Sequence, residues 1–217
     1  MDAATLRISF RDFAGQDRYR KFVRTINRQC RTNGRLFFWQ EQLWREFLTR
    51  VSEAPASEGE IMNLFRVCDI HDCDLAVAPE NEAPPEVRHT AQYDDALEKL
   101  FPFASGGKLV CGQCQAERSR WIAENADLCR ILRKKTTYAD YCDRLLEGII
   151  DQTQRDLLKQ QAKEQLKKRE AEIAAEMEPG DELWEWDGGG WHQLAGRGGV
   201  AIVRNGQIVR KWFEIRS

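Results

Sequence analysis

Hydrophobic positions change their spacing several times along the chain, and each change marks an element. Leu6, Ile8 and Phe10 alternate with Arg7, Ser9 and Arg11, the period of a half-buried strand. Gly15-Gln16-Asp17 ends that stretch, with Asp17 placed to cap a helix. From Tyr19 the period becomes helical, since Tyr19, Phe22, Val23, Ile26 and Cys30 share one face. Gly34 then supplies a stop signal. Leu36-Phe37-Phe38-Trp39 reads as a second strand, and Leu43, Trp44, Phe47, Leu48 and Val51 as a second helix. The N-terminal unit is therefore expected to be β-α-β-α. If its strands pair across the helix, they are parallel with a right-handed crossover.

Ser52 to Gly59 reads as a connection, and a short helix over Ile61 to Val67 delivers the chain to Cys68. The segment 76–87 holds three prolines and reads as a surface loop. Tyr93 to Phe101 is helical by pattern, and Gly106-Gly107 turns the chain into a short strand ending at Cys111. A helical stretch then runs to about Met177, broken near Thr136-Thr137, where Thr137 and Asp140 form a capping pair. Its second part, about 40 residues, would be on the order of 60 Å long. Beyond Pro179-Gly180 the sequence switches to alternating runs separated by glycine clusters, with Asn205-Gly206 as a hairpin signal. The expected class is α+β: an N-terminal unit (1–60), a metal-binding segment (61–135), a long charged helix (136–178) and an antiparallel β-meander (179–217).

Composition narrows the classes. Of 217 residues 42% are hydrophobic, enough for a core, while 31% are charged. No apolar run approaches the roughly 18 residues needed to cross a bilayer, and MDAATLRISF is not a signal peptide. Seven cysteines, an odd number without an export signal, point to reduced thiols and metal rather than disulfides, with the cytoplasm as expected compartment. The net charge of -2 hides segregation: residues 1–35 carry nine Lys/Arg against three Asp/Glu, and residues 36–100 carry five against fourteen.

Cys68-x-x-His71 and Cys111-Gly-Gln-Cys114 carry the chemistry. Two pairs with two intervening residues each grip a tetrahedral ion from one tight turn, and three sulfurs with one imidazole make a Cys3His zinc shell. Cys73 can replace His71 through a Cys-x4-Cys bite, and His89 is a further alternative. Over residues 66–122 these motifs resemble treble-clef and zinc-knuckle modules. That resemblance implies a knuckle supplying two ligands and a helix N-terminus supplying the other two. A redox role for Cys111 and Cys114 would want a thioredoxin-like frame, which the pattern lacks. Without His71 the shell would be open, and Asp69, Asp72 or Asp74 would be the general base of a metal-dependent hydrolase.

Three surfaces are candidates for partners. Arg20, Arg24, Arg28 and Arg31 form one stripe of the first helix, fit either for phosphates or an acidic surface, or for pairing with the acidic segment 40–100. On the long helix, residues 159–169 carry five cations and one anion, and residues 170–182 carry six anions. That order opposes the helix dipole and invites self-association or a protein partner. Trp184, Trp186, Trp191 and Trp212 offer either a sheet core or an interface. There is no P-loop, dinucleotide fingerprint or Gly-x-Ser-x-Gly elbow. The expected function is a zinc-stabilised intracellular adaptor acting by protein binding. The alternatives are a nucleic-acid-binding protein and a metal-dependent hydrolase; a membrane is not expected as partner.

Overall fold

The computed structural model describes residues 2–28, 35–51, 57–78, 86–105, 108–147 and 151–216, with residues 214–216 described by backbone alone. The class is mixed α and β, with a long helix and a C-terminal four-stranded antiparallel sheet. Contacts gather into two compact units, Met1–Pro84 with Asp95–Glu124, and Pro85–Asp94 with Asn125–Ser217.

The first unit opens with three helices, α1 (Ala3–Ala14), α2 (Gln16–Arg28) and α3 (Phe38–Leu48). The strands expected at 6–10 and 36–39 are absent, so the N-terminal part is helical and not β-α-β-α. In α1 the buried positions are Leu6, Phe10 and Ala14, four apart, while Ile8 is 46% exposed. Leu6 and Phe10 satisfy both the strand and the helix period, and position 8 alone separates them. Asp2 caps this helix by accepting the Thr5 N–H at 2.9 Å. In the apolar run Leu36 is buried but Phe38 is exposed. Phe37 is the N-cap of α3, and its N–H donates to Gln40 Oε1 at 3.0 Å.

Phe10 is the hub of this unit. It is fully buried, with ring centroids of Phe22, Phe65, Trp44 and Phe47 at 4.9, 5.1, 5.2 and 5.2 Å. The pairs with Phe22 and Phe47 are edge-on and those with Trp44 and Phe65 tilted, and such ring contacts add to area burial. Helix α4 (Glu58–Leu64), capped by the Ser57–Glu60 box, feeds Phe65 and Val67 into the same core just ahead of Cys68, and α5 (Ala91–Lys99) follows later in the chain.

The second unit holds α7 (Ala126–Cys129), β3 (Leu132–Lys135), α8 (Tyr138–Glu147), α9 (Gln152–Glu176), β4 (Glu182–Gly189), β5 (Arg197–Arg204) and β6 (Gln207–Arg216). The sheet order is β3-β4-β5-β6, antiparallel throughout. Strand β3 lies where the pattern predicts helix. Its Leu-Arg-Lys-Lys sequence has no period to read, and lysines are what an edge strand carries. The expected long helix is two helices; residues 148–150 between them lie outside the described set. The Thr137 hydroxyl accepts the Asp140 N–H at 3.1 Å, as the capping pair requires. At 25 residues α9 spans about 37 Å.

Val200 and Ile202, two apart on β5, share a face with Leu183 and Trp212 and are covered by Tyr138, Tyr141 and Ile173 of the two helices. Asn205 and Gly206, with φ of 51° and 78°, make the two-residue turn of the β5–β6 hairpin. The glycine clusters answer to close approach. A Cβ at Gly189 would lie 2.1 Å from the His89 carbonyl oxygen, and one at Gly196 2.0 Å from the Trp191 ring.

Phe10→Ala should cost about 3–5 kcal/mol, because the surrounding rings cannot collapse into the space, and urea denaturation measures it. In the second unit Arg204 donates to both oxygens of Asp181, at 2.9 and 3.0 Å. That pairing, with the Glu178 N–H, holds the Asp181 carboxyl down to about 2 from its ordinary 3.8. A depressed carboxylate stabilises the fold fully above its unfolded pKa and loses that contribution as pH falls towards the folded one. Between pH 4 and 2 the melting temperature should therefore fall more steeply in the wild type than in Asp181→Asn. Parallel slopes would show that the pair contributes nothing.

Candidate metal centre

The knuckle is a backbone device. The Cys68 N–H donates to the Cys73 carbonyl at 2.8 Å, the Asp72 N–H to the Cys68 carbonyl at 2.9 Å, and the Leu75 N–H to the Arg66 carbonyl at 3.1 Å. Asp72 turns the chain with a φ of 53°, directly after His71. Strand β1 (Ala76–Val77) follows and pairs antiparallel with β2 (Leu109–Val110), which ends at Cys111. Helix α6 (Gly112–Glu124) begins on the next residue, so Cys111 occupies its N-cap. There the Cys111 sulfur accepts the Cys114 N–H at 3.4 Å. A thiolate at that place is favoured by the helix dipole. Two ligands thus come from the knuckle and two from the start of a helix, consistent with a local zinc-module resemblance.

The four ligand atoms of Cys68, His71, Cys111 and Cys114 lie within 4.8 Å of one another and can hold a metal ion. The His71 Nδ1 is 3.4 Å from the sulfurs of Cys68 and Cys114 and 3.5 Å from that of Cys111. The Cys68 and Cys114 sulfurs are 3.6 Å apart. A tetrahedron with metal–sulfur bonds of about 2.3 Å and metal–nitrogen bonds of about 2.0 Å has edges of about 3.8 and 3.5 Å. Four of the six separations thus stand close to the spacing that a four-coordinate ion needs. Cys73 lies outside this quartet, although its sulfur is 3.4 Å from that of Cys111. His89 is elsewhere: its Nδ1 is 2.8 Å from Asp94 Oδ1, and His192 Nε2 is 3.0 Å from Asp94 Oδ2.

Charge in the cluster is unevenly held. The Cys68 thiol is lowered to about 5 by the Cys114 thiol and by N–H groups of the knuckle, and Cys114 is pushed up by that same contact and by burial. Burial, with Cys111 beside it, pushes Cys73 up to about 12. Cys68, Cys111 and Cys114 would hold a divalent cation as thiolates, and such an ion would supply their countercharge.

Around the ligands stands a second ring of residues that the spacing of cysteines does not reveal. Glu117, three residues after Cys114 on α6, presents Oε2 at 3.4 Å from His71 Nε2, where carboxylates commonly support a metal-binding imidazole. Asp69 is buried and takes the Arg24 Nε and a second guanidinium nitrogen, both at 2.9 Å. Asp72 takes Arg11 at 2.9 Å and the Tyr19 hydroxyl at 3.2 Å. The Asn27 side chain donates to the Phe65 and Val67 carbonyls at 2.8 and 3.3 Å. Asp72 and the Oδ2 of Asp69 are thus engaged by α1 and α2, while Asp69 Oδ1 is buried without a hydrogen-bond partner among the described residues.

The arginine stripe is largely occupied. Arg24 also meets Glu98, and Arg28 meets Glu98 at 2.8 Å and the Pro102 carbonyl at 3.0 Å. Arg20 stands 3.9 Å from Asp69, and Arg31 lies outside the described residues. Of the tryptophans, Trp186 and Trp212 are buried. Trp184 is half-buried under Arg130, and Trp191 is 39% exposed with its Nε1 donating to Asp187 at 2.8 Å.

The protein as purified should carry one metal ion per chain by inductively coupled plasma mass spectrometry. Cys111→Ser should abolish that ion, and Glu117→Gln should weaken its affinity about 10–100-fold. Retention of full stoichiometry in Cys111→Ser would remove the centre. A scan against protein-family models found no match, and searches of curated proteins and of solved structures found none either.

Proposed function

We propose that the chain is a zinc-stabilised intracellular adaptor that works by binding another protein. The observation that carries this reading is the closed shell: four protein donors within 4.8 Å of one another. A catalytic zinc keeps one corner for water, and here each corner has its own side chain. Three sulfurs and an imidazole suit zinc. Free cysteines among the described residues fit a reducing compartment, and no described helix is long and apolar enough to cross a membrane.

The partner surface in this reading is the groove of ≈ 240 Å³ between α8 and α9. Tyr138, Cys142, Leu146 and Leu166 line its apolar part, and Lys159, Lys163 and Lys167, four apart on α9, form a basic rim. Lys159 pairs with Asp143 at 2.6 Å, whereas Lys163 and Lys167 have no ion pair among the described residues. Leu158, two turns before Leu166, is 42% exposed, and Leu157 beside it 52%. The acidic end of α9 has its cations at home, with Glu176 on Arg210 at 3.3 Å and Glu178 on Arg204 at 2.9 Å. The basic end faces outward. An acidic segment with leucine-like side chains at helical spacing matches it in charge and in apolar contact. Nucleic acid is less favoured, since Arg24 and Arg28 are already taken up by Asp69 and Glu98.

Lys163→Glu with Lys167→Glu should weaken capture of the partner about 10-fold or more and leave the metal content unchanged. The captured protein should carry an acidic, leucine-bearing segment that binds as a synthetic peptide. Capture indifferent to the double reversal would refute the groove, and sedimentation of a dimer lost in the same variant would assign it to a second copy.

A further inference from the structure

Five sulfur and imidazole donors meet where a tetrahedral ion has use for four. The fifth, Cys73, has its sulfur 3.4 Å from that of Cys111, though 38 residues separate them in sequence. The contact is built into the backbone. Cys73 closes the knuckle by accepting the Cys68 N–H, and Cys111 is fixed at the start of α6 after β2. Cys68, Cys111 and Cys114 are buried, and Cys73 is only partly so. A thiol held against a metal-bound thiolate is placed as the resolving partner in thiol oxidation.

We propose that Cys73 and Cys111 form a peroxide-oxidised pair whose disulfide removes one ligand from the metal centre. The chemistry needs a hydroperoxide as the oxidant. The Cys111 thiolate attacks the peroxide oxygen, the O–O bond breaks, and Cys111 sulfenic acid and hydroxide form. The Cys73 thiol then attacks the sulfenic sulfur. The S–S bond forms, the S–O bond breaks, and the Cys73 proton leaves with the oxygen as water. Two electrons pass from two sulfurs to the peroxide. The ion keeps Cys68, His71 and Cys114, and a three-ligand site holds it less tightly. A thiol reductant with added metal reverses the change.

The inference rests on Cys111 being a metal ligand, so the experiment reads the disulfide and the metal separately. The metal-loaded full-length protein is treated with hydrogen peroxide, and released zinc is followed with a chromogenic chelator. Peptide mass spectrometry of the alkylated protein maps the crosslink. The expected result is one Cys73–Cys111 crosslink per ion released. Cys73→Ala and Cys73→Ser should both load one ion and release it at least 10-fold more slowly. A crosslink among Cys68, Cys111 and Cys114 instead, or wild-type release from both variants, would overturn the proposal. Should the untreated protein bind no metal, the zinc reading fails, while formation or absence of the Cys73–Cys111 crosslink still decides the pairing.

Discussion

Three buried sulfurs and an imidazole within 4.8 Å of one another form a cluster that can hold a metal ion, and the first unit converges on it. With an ion bound, four donors from two distant segments become one rigid object. The first unit is organised to deliver them. Val67, one residue before the first ligand, belongs to the aromatic core around Phe10. The second ligand pair is presented by a two-residue ladder and a helix start. Core and centre are thus contiguous, and loosening either transmits directly to the other.

The charge segregation of the chain acquires its meaning at the same place. The basic N-terminal segment and the acidic segment after it meet as Arg24 with Asp69 and Glu98, Arg28 with Glu98, and Arg11 with Asp72. Two of those acids lie within the knuckle loop itself. Arg24 is well shielded and the Asp69 carboxylate fully so, so their contact is screened less than a surface ion pair. The arginine stripe therefore acts as a clamp that fixes the loop on α2.

Much of this was legible in the sequence, and what was not has definite causes. The ligand spacing stands out because few other structures need two close-set pairs of soft side chains. The meander was legible because Asn-Gly and the glycine clusters answer to steric demands that no other residue meets. The first helix reads equally well as a strand because Leu6 and Phe10 fit two periods, and only the exposure of Ile8 separates them. Strand β3 was hidden because an edge strand of Leu-Arg-Lys-Lys takes its structure from the neighbouring β4 and not from its own pattern. Glu117 and Asp72 were invisible as supports because their partners are far away in sequence, and a charged residue on a helix or loop has no spacing of its own.

Neither unit is a continuous stretch of chain: Pro85–Asp94 belongs with the later residues, and Asp95–Glu124 returns to the earlier ones. During synthesis the helical core of α1 to α3 emerges early, but the four-residue cluster stays half-built until Cys114 has left the ribosome. The exposed knuckle must persist meanwhile with two donors only. Because of that threading, no single cut in the gene yields two self-sufficient halves, and a shortened product ending before residue 111 would carry a nascent site that nothing can close.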